Sequence, residues 1–129
     1  MVGWDIPMSR VRIYLYSNCS SCKNAEQVLS DAGVEYDRRD IFRERMTVPE
    51  LEALFHEIGK SPTELLSRRS IPYRQLGLAE RAPSDSELIE LMTEHPGLLR
   101  RPIVIAAGEV QIGFNRAALE SLAQRNAQD

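Results

Sequence analysis

A chain of 129 residues is sized for one domain around one core, and 43% hydrophobic with 27% charged residues is the balance of a globular protein, not of a disordered or fibrous one. The formal net charge of −3 gives no global reason to expect nucleic acid or an anionic membrane as partner, and no apolar run approaches the length of a membrane span. "MVGWDIPMSR" lacks the apolar h-region of a signal peptide, so the default expectation is a cytoplasmic protein, where a cysteine pair serves catalysis, redox sensing or metal binding more often than a static staple.

The first β-rich run, "VRIYLY" (Val11 to Tyr16), is bounded by Ser17-Asn18 and predicts a strand. A helix follows, with Ala25, Val28, Leu29 and Ala32 at i, i+3, i+4, i+7 and Gly33 where it would end. Val34 to about Asp40 reads as a second strand, and strand, helix and strand in so short a span make a βαβ unit with a parallel pair. The middle is helical. Thr47 caps a helix with Glu50 three residues on and Pro49 in its first turn; its apolar stripe is Leu51, Leu54, Phe55 and Ile58, ending at Gly59. Ser61-Pro62-Thr63-Glu64 repeats that start signal for a short helix through Leu65 and Leu66. "IPYRQLGL" is a further short turn or helix. Ser84 with Glu87 opens another helix carrying Leu88, Ile89, Leu91 and Met92, stopped by Pro96-Gly97. The end returns to β: "RPIVIA" (Arg101 to Ala106) and "EVQIGF" (Glu109 to Phe114) flank the hairpin turn Ala107-Gly108, and Asn115 caps a last helix with Leu119 and Leu122. The order is β-α-β, a helical block, β-β-α: a small mixed sheet with helices on it, interrupted around Phe42 to Gly97.

Cys19 and Cys22 are the only cysteines, and Cys-x-x-Cys falls at the first strand-to-helix junction. There the free N–H groups and the positive end of the helix dipole favour a thiolate on the first cysteine. The second cysteine, one turn along, resolves a mixed disulfide, and Lys23 adds a positive charge. Two other readings stand behind this one. An inert pair ranks second, against the polar setting of Ser17 to Ser21. Zinc ranks third: a site needs about four ligands, and His56 and His95 lie at no zinc-finger spacing from the pair, so only a site shared in a dimer remains open. The two histidines read as helix-end or surface residues.

Pro102, before an apolar strand, is the other informative position. A cis proline here would lie against the cysteine loop in a redox fold of this element order; a trans proline at a strand start is commoner in general, and the order of elements favours cis. Arg68-Arg69 and Arg100-Arg101 form two arginine pairs able to steady a thiolate or grip an oxyanion, with ordinary surface solvation as the alternative. Arg101 is favoured because it adjoins Pro102.

The segments "CSSCK", "ELLSRRS", "YRQLGL", "LIELMTEHPGLLRRPIVI" and "VQIGFN" together resemble the arsenate reductase–Spx family of thioredoxin-like proteins, over about Val11 to Leu122. The resemblance implies an α/β fold with a thioredoxin-like core at 11–43 and 97–129, an all-helical insertion of the same domain at 44–96, and an extension at 1–10 with Met8 as an alternative start. In the reductases one cysteine attacks arsenate, arginines hold the oxyanion, and glutathione with glutaredoxin closes the cycle. Spx-type proteins bind the C-terminal domain of the RNA polymerase α subunit, and their Cys-x-x-Cys is a disulfide switch on transcription. Cys19 matches the reductase nucleophile and Arg101 the arginine of the Arg-Pro-Ile motif, with Arg68 or Arg69 near a further one. The reductases carry another arginine in the last hairpin; "AAGEVQIGF" has none. Cys22, "RRS", "HPGLLRRPI" and "QIGFN" agree with Spx, whereas Ser61 stands where Spx has a glycine and Gly59 follows the reductases.

The expectation is therefore a cytoplasmic thiol–disulfide redox protein, an arsenate-reductase-like thiol oxidoreductase that would reduce an electrophile such as arsenate or another oxidised thiol partner. Cys19 would be the nucleophile, Cys22 the resolving thiol and Arg101 the anion-stabilising cation, supported by Pro102, Ser21, Arg68 and Arg69. No metal or organic cofactor is expected, nor direct nucleic-acid binding, nor a membrane; the reductant would be a small thiol, glutaredoxin or thioredoxin. The alternative is a redox-switched regulator binding the polymerase α C-terminal domain, and a third option is an interaction module without chemistry.

Overall fold

The computed structural model describes residues 11–127; the expectations for residues 1–10, an extension and a start at Met8, lie outside them. In chain order the elements are β1 (Val11–Leu15), α1 (Ser20–Asp31), β2 (Tyr36–Asp40), α2 (Val48–Ile58), α3 (Ile71–Gln75), α4 (Leu78–Arg81), α5 (Asp85–Glu94), a 3-10 turn (Pro96–Leu98), β3 (Ile103–Ala106), β4 (Glu109–Ile112) and α6 (Arg116–Ala127). Among the described residues no helix is long and apolar enough to cross a membrane. The chain forms two compact units, residues 11–41 with 101–127, and residues 42–100.

The first unit is an α/β thioredoxin-like core. Its sheet has the order β2-β1-β3-β4. β2 runs parallel to β1, with Leu15 opposite Asp40. β3 runs antiparallel to β1, with Ile103 opposite Tyr14, and β4 antiparallel to β3. The two central strands are apolar because they have no polar face to spare: "IVIA" of β3 is buried throughout, and so are Val11, Ile13, Tyr14 and Leu15 of β1. The edge strand β2, "YDRRD", carries the charges that keep an edge from pairing with another chain. α1 and α6 bury one stripe each in a common cluster, where Val28, Leu29, Leu119 and Leu122 meet Ile13, Leu15, Val104 and Ala106.

Two details differ from the periodicity. Ala32, expected on the buried stripe of α1, is exposed and is the residue that ends the helix. The second strand begins at Tyr36, not Val34. Gly33 takes a left-handed φ of 73°, and the N–H groups of Gly33 and Val34 return to the carbonyls of Ser30 (3.0 Å) and Leu29 (3.1 Å). That closure consumes Val34 as the apolar residue after the cap.

The unit 42–100 is helical. α2 begins at the expected capping box: Thr47 accepts from the N–H of Glu50 at 3.3 Å while the Glu50 carboxylate accepts from the N–H of Thr47 at 2.9 Å. α5 begins at Ser84, which accepts from the N–H of Glu87 at 3.2 Å. The helix expected at Ser61 is absent. Its cap bonds form, Ser61 N–H to Glu64 at 2.8 Å and Glu64 N–H to Ser61 at 3.3 Å, but only turns follow. The backbone beyond is claimed elsewhere: Leu66 bridges Leu99, Ser67 N–H donates to Leu98 at 2.7 Å, and Arg100 N–H donates to Leu65 at 2.8 Å. The same bonds draw residues 97–100, assigned to the sheet core from sequence, into the helical unit. α4 was not foreseen as a separate helix; Gly77, left-handed at φ 63°, divides it from α3.

The β3–β4 hairpin turns through Ala107 (φ 46°) and Gly108 (φ 85°), the pair of positive φ angles that a two-residue hairpin requires. Glycine takes this freely; the alanine Cβ does not. Ala107→Asn or Ala107→Gly should therefore stabilise the protein by about 0.5–1 kcal/mol, read as a higher urea midpoint at unchanged m-value.

Candidate functional site

β1 ends at Leu15, and the chain reaches α1 through Tyr16, Ser17 and Asn18. Cys19 is the N-cap of α1, with extended backbone (φ −99°, ψ 123°). Its carbonyl accepts the N–H of Lys23 at 3.0 Å, and its own N–H donates to the Tyr16 carbonyl at 3.0 Å. The protonated sulfur makes no cap hydrogen bond of the kind a serine oxygen would. The backbone N–H groups of Cys22 and Ser21 nevertheless face it, so it is the ionised sulfur that they stabilise.

The two thiols are free and have opposite environments. Cys19 is half-buried. Burial is the largest single influence and opposes ionisation, but the Cys22 thiol and N–H, the Arg101 charge and the Ser21 N–H together outweigh it, and the Cys19 pKa falls below the ordinary thiol value. Cys22 is 1% exposed and belongs to the cluster formed by Ile13, Leu15, Ala25 and Leu29. Burial first, then its hydrogen bond to Cys19 and the charge there, push the Cys22 thiol up to about 12, against a lowering influence from the Tyr16 backbone and Arg101.

Arg101 arrives from the far end of the sequence because β3 pairs antiparallel with β1. With Ile103 opposite Tyr14, the residues just before β3 come level with those just after β1. The Arg101 guanidinium carbon lies 6.0 Å from the centroid of the Tyr16 ring, within cation–π range, and its charge favours the Cys19 thiolate. The Arg101–Pro102 bond is cis, as the element order favoured. Pro102 is buried and its carbonyl accepts the N–H of Gly113 at 2.8 Å.

Cys19, Cys22, Ser21 and Arg101 thus meet at one end of the sheet, with Pro102 next to Arg101. Ser21 contributes through its backbone. Lys23 is exposed and bonds Cys19 through its backbone N–H; the cationic side chain acting on Cys19 is that of Arg101. Arg68 and Arg69 belong to the helical unit. There Arg68 donates to the Tyr73 hydroxyl at 3.2 Å, its guanidinium 6.0 Å from that ring centroid, and Arg69 is exposed. His56 is an exposed residue in the last turn of α2, and His95 is the C-cap of α5. Among the described residues no group of three or more His, Cys, Asp or Glu could hold a metal ion.

Three residues of the site were not foreseen. Tyr16 was read only as the end of a strand. Ser17 and Asp40 are joined by two hydrogen bonds, from the Ser17 N–H (3.2 Å) and hydroxyl to one carboxylate oxygen. An available sign was the acid at the end of a strand expected to pair with β1.

A Cys-x-x-Cys at a strand-to-helix junction, level with a cis-proline before the antiparallel neighbour strand, is the arrangement of the thioredoxin-like class. Comparison with known proteins narrows this. The ArsC family model matches residues 14–122. Global transcriptional regulator Spx 2 of Bacillus anthracis is 32% identical over 116 residues, covering 90% of this chain and 88% of that protein. Among solved structures, an arsenate reductase (ArsC) related protein from Brucella melitensis is similar with a TM-score of 0.69 and 29% identity, over 88% of this chain and 93% of that one. An arsenate reductase from Vibrio cholerae has a TM-score of 0.72 and 26% identity, over 87% and 93%. The chain belongs to the ArsC family.

Under native conditions an alkylating reagent should modify Cys19 alone, at a rate that rises with pH through a lowered pKa and then levels off; Cys22 should react only on unfolding. Arg101→Gln should slow Cys19 alkylation at neutral pH on the order of tenfold, with the unfolding midpoint measured alongside.

Proposed function

We propose that this protein is a cytoplasmic thiol–disulfide redox protein in which Cys19 is the nucleophile and Cys22 the resolving thiol. The observation that carries this reading is the placement of the two sulfurs: Cys19, half-exposed at the N-cap of α1 with Arg101 beside it, is favoured as thiolate, and Cys22, 1% exposed one turn along, is favoured as the protonated thiol.

The steps follow from that asymmetry. The Cys19 thiolate attacks one sulfur of a partner disulfide; the partner S–S bond breaks, a mixed disulfide forms, and one partner thiolate leaves. Bonding removes the negative charge from Cys19, and with it one of the causes that hold Cys22 protonated. Cys22 then gives its proton to the departing thiolate or to water and attacks the Cys19 sulfur. The Cys19–Cys22 bond forms as the second partner thiolate leaves, so the pair is oxidised by two electrons and the partner reduced by two. Two thiol equivalents from a small thiol, glutaredoxin or thioredoxin return the pair to the dithiol. Arg101 steadies the thiolate and Pro102 shapes the wall beside it; Arg68 and Arg69 are the candidates for further cations.

A second reading is favoured by the relatives named as transcriptional regulators and by the hairpin without arginine: a redox switch that binds the C-terminal domain of the polymerase α subunit.

Reduction of a model disulfide with glutathione and glutaredoxin should be lost in Cys19→Ser and should stall at a trapped mixed disulfide in Cys22→Ser. Full activity in Cys19→Ser would overturn the redox reading. A pull-down with the α C-terminal domain, run on the dithiol and the disulfide forms, separates switch from reductase: retention that depends on redox state supports the switch, and no retention in either form removes it.

A further inference from the structure

The site contains a buried carboxylate that neither step above uses. Asp40, 7% exposed, ends β2 opposite Leu15, and its Oδ2 accepts both the backbone N–H (3.2 Å) and the hydroxyl of Ser17. We infer that Asp40 is a positioning residue for Cys19, acting through the peptide between Tyr16 and Ser17. This rests on the redox reading proposed above.

That peptide opens the cysteine loop. Its N–H, on Ser17, is the one held by Asp40. Its C=O, on Tyr16, accepts the N–H of Cys19 at 3.0 Å. The carboxylate, the peptide and the Cys19 N–H therefore form one chain of hydrogen bonds in which each member polarises the next. The N–H of Tyr16, on the preceding peptide, favours the Cys22 sulfur, so adjoining peptides of one short loop serve the two cysteines. The surroundings hold the carboxylate in place. Arg38, whose charge faces Asp40, donates to the Ser17 hydroxyl at 3.5 Å and to Glu26 of α1 at 2.8 Å. Strand β2 is thus tied both to the loop before Cys19 and to the helix after it. The groups that act directly on the Cys19 charge, Cys22, Arg101 and the Ser21 N–H, are unchanged in the variants below, so an altered Cys19 profile reports on loop geometry.

The test is the pH profile of Cys19 alkylation in the full chain, with the modified residue located by mass mapping and the thermal midpoint measured on the same samples. Asp40→Ala should slow Cys19 at neutral pH by about threefold to tenfold, Asp40→Asn less, and Ser17→Ala by about twofold, the size of single hydrogen bonds. The pH at which the rate levels off should move up in the same order. An unshifted profile in the Asp40 variants overturns the inference, even where the midpoint falls, because that is the result of a merely structural carboxylate. If Asp40→Ala does not fold, Ser17→Ala decides in the same way. A wild-type Cys19 with an ordinary thiol profile would sink the redox reading itself, and this inference with it; a lowered wild-type profile that the variants leave unmoved sinks only the role of Asp40.

Discussion

The unsatisfied N–H groups at the start of α1 are the constraint on which the rest of this site depends. Every helix leaves such donors, and α2, α3, α5 and α6 answer theirs with an oxygen, from Thr47, Ser70, Ser84 and Asn115. α1 presents a sulfur instead. A protonated thiol is a poor acceptor, so the helix forgoes a cap that is ordinarily worth about 0.5–2 kcal/mol. An ionised Cys19 supplies what the protonated one cannot. Capping and thiol activation are therefore one interaction viewed from two ends. Its sign is fixed: a lowered pKa contributes stability that is present above the ordinary thiol range and is lost as pH falls through the lowered value. Cys22 works the other way, since its raised pKa weakens the fold once pH passes the value for an unfolded thiol.

The helix alone would not separate the two sulfurs so far. Burial opposes ionisation at both cysteines, and what divides them is that Cys22 is the more deeply buried while more donors converge on Cys19. Cys22 lies one turn along, inside the cluster beneath α1, where its thiol proton has Cys19 as its acceptor. Arg101 acts on both, but Cys19 is where its charge reinforces hydrogen bonds that already converge. The arginine is there only because β3 pairs with β1 in a register that returns the chain to the cysteine loop. Local sequence lowers the Cys19 pKa, and the sheet pairing delivers its counter-ion.

Much of this was legible in the sequence because it rests on short-range chemistry. The Cys-x-x-Cys at a strand-to-helix junction, the box at Thr47 and Glu50, the Ala107-Gly108 turn and the Asn115 cap each depend on neighbours a few residues away. Ser61-Pro62-Thr63-Glu64 shows the limit of the same logic: its cap bonds form as expected, but Leu65, Leu66 and Ser67 meet Leu98, Leu99 and Arg100 instead of continuing a helix. Long-range pairing overrode a correct local signal. Tyr16, Ser17 and Asp40 were missed for the corresponding reason. Nothing in "YSN" or "RRD" reveals that one carboxylate closes on one serine until β2 is laid beside β1.

Charge balance bears on what the pair acts upon. Arsenate is a doubly charged oxyanion and needs more than one cation around the sulfur that attacks it. In the β3–β4 hairpin the one charged residue is Glu109, which stands opposite Ala106 at the end of the sheet away from Cys19 and is paired with Arg125 of α6, so the hairpin brings no second cation to the site. A disulfide makes a smaller demand. It enters neutral and develops one negative charge on the departing sulfur, a load that Arg101 and the α1 N–H groups match. The same economy suits a switch, which forms the same Cys19–Cys22 disulfide without a return to the dithiol in each cycle. On these grounds the charge at the site suits the proposed sulfur exchange better than oxyanion turnover, and the two proposed readings, which both pass through the Cys19–Cys22 disulfide, differ in whether that bond is reduced again to complete a turnover or persists to change what the protein binds.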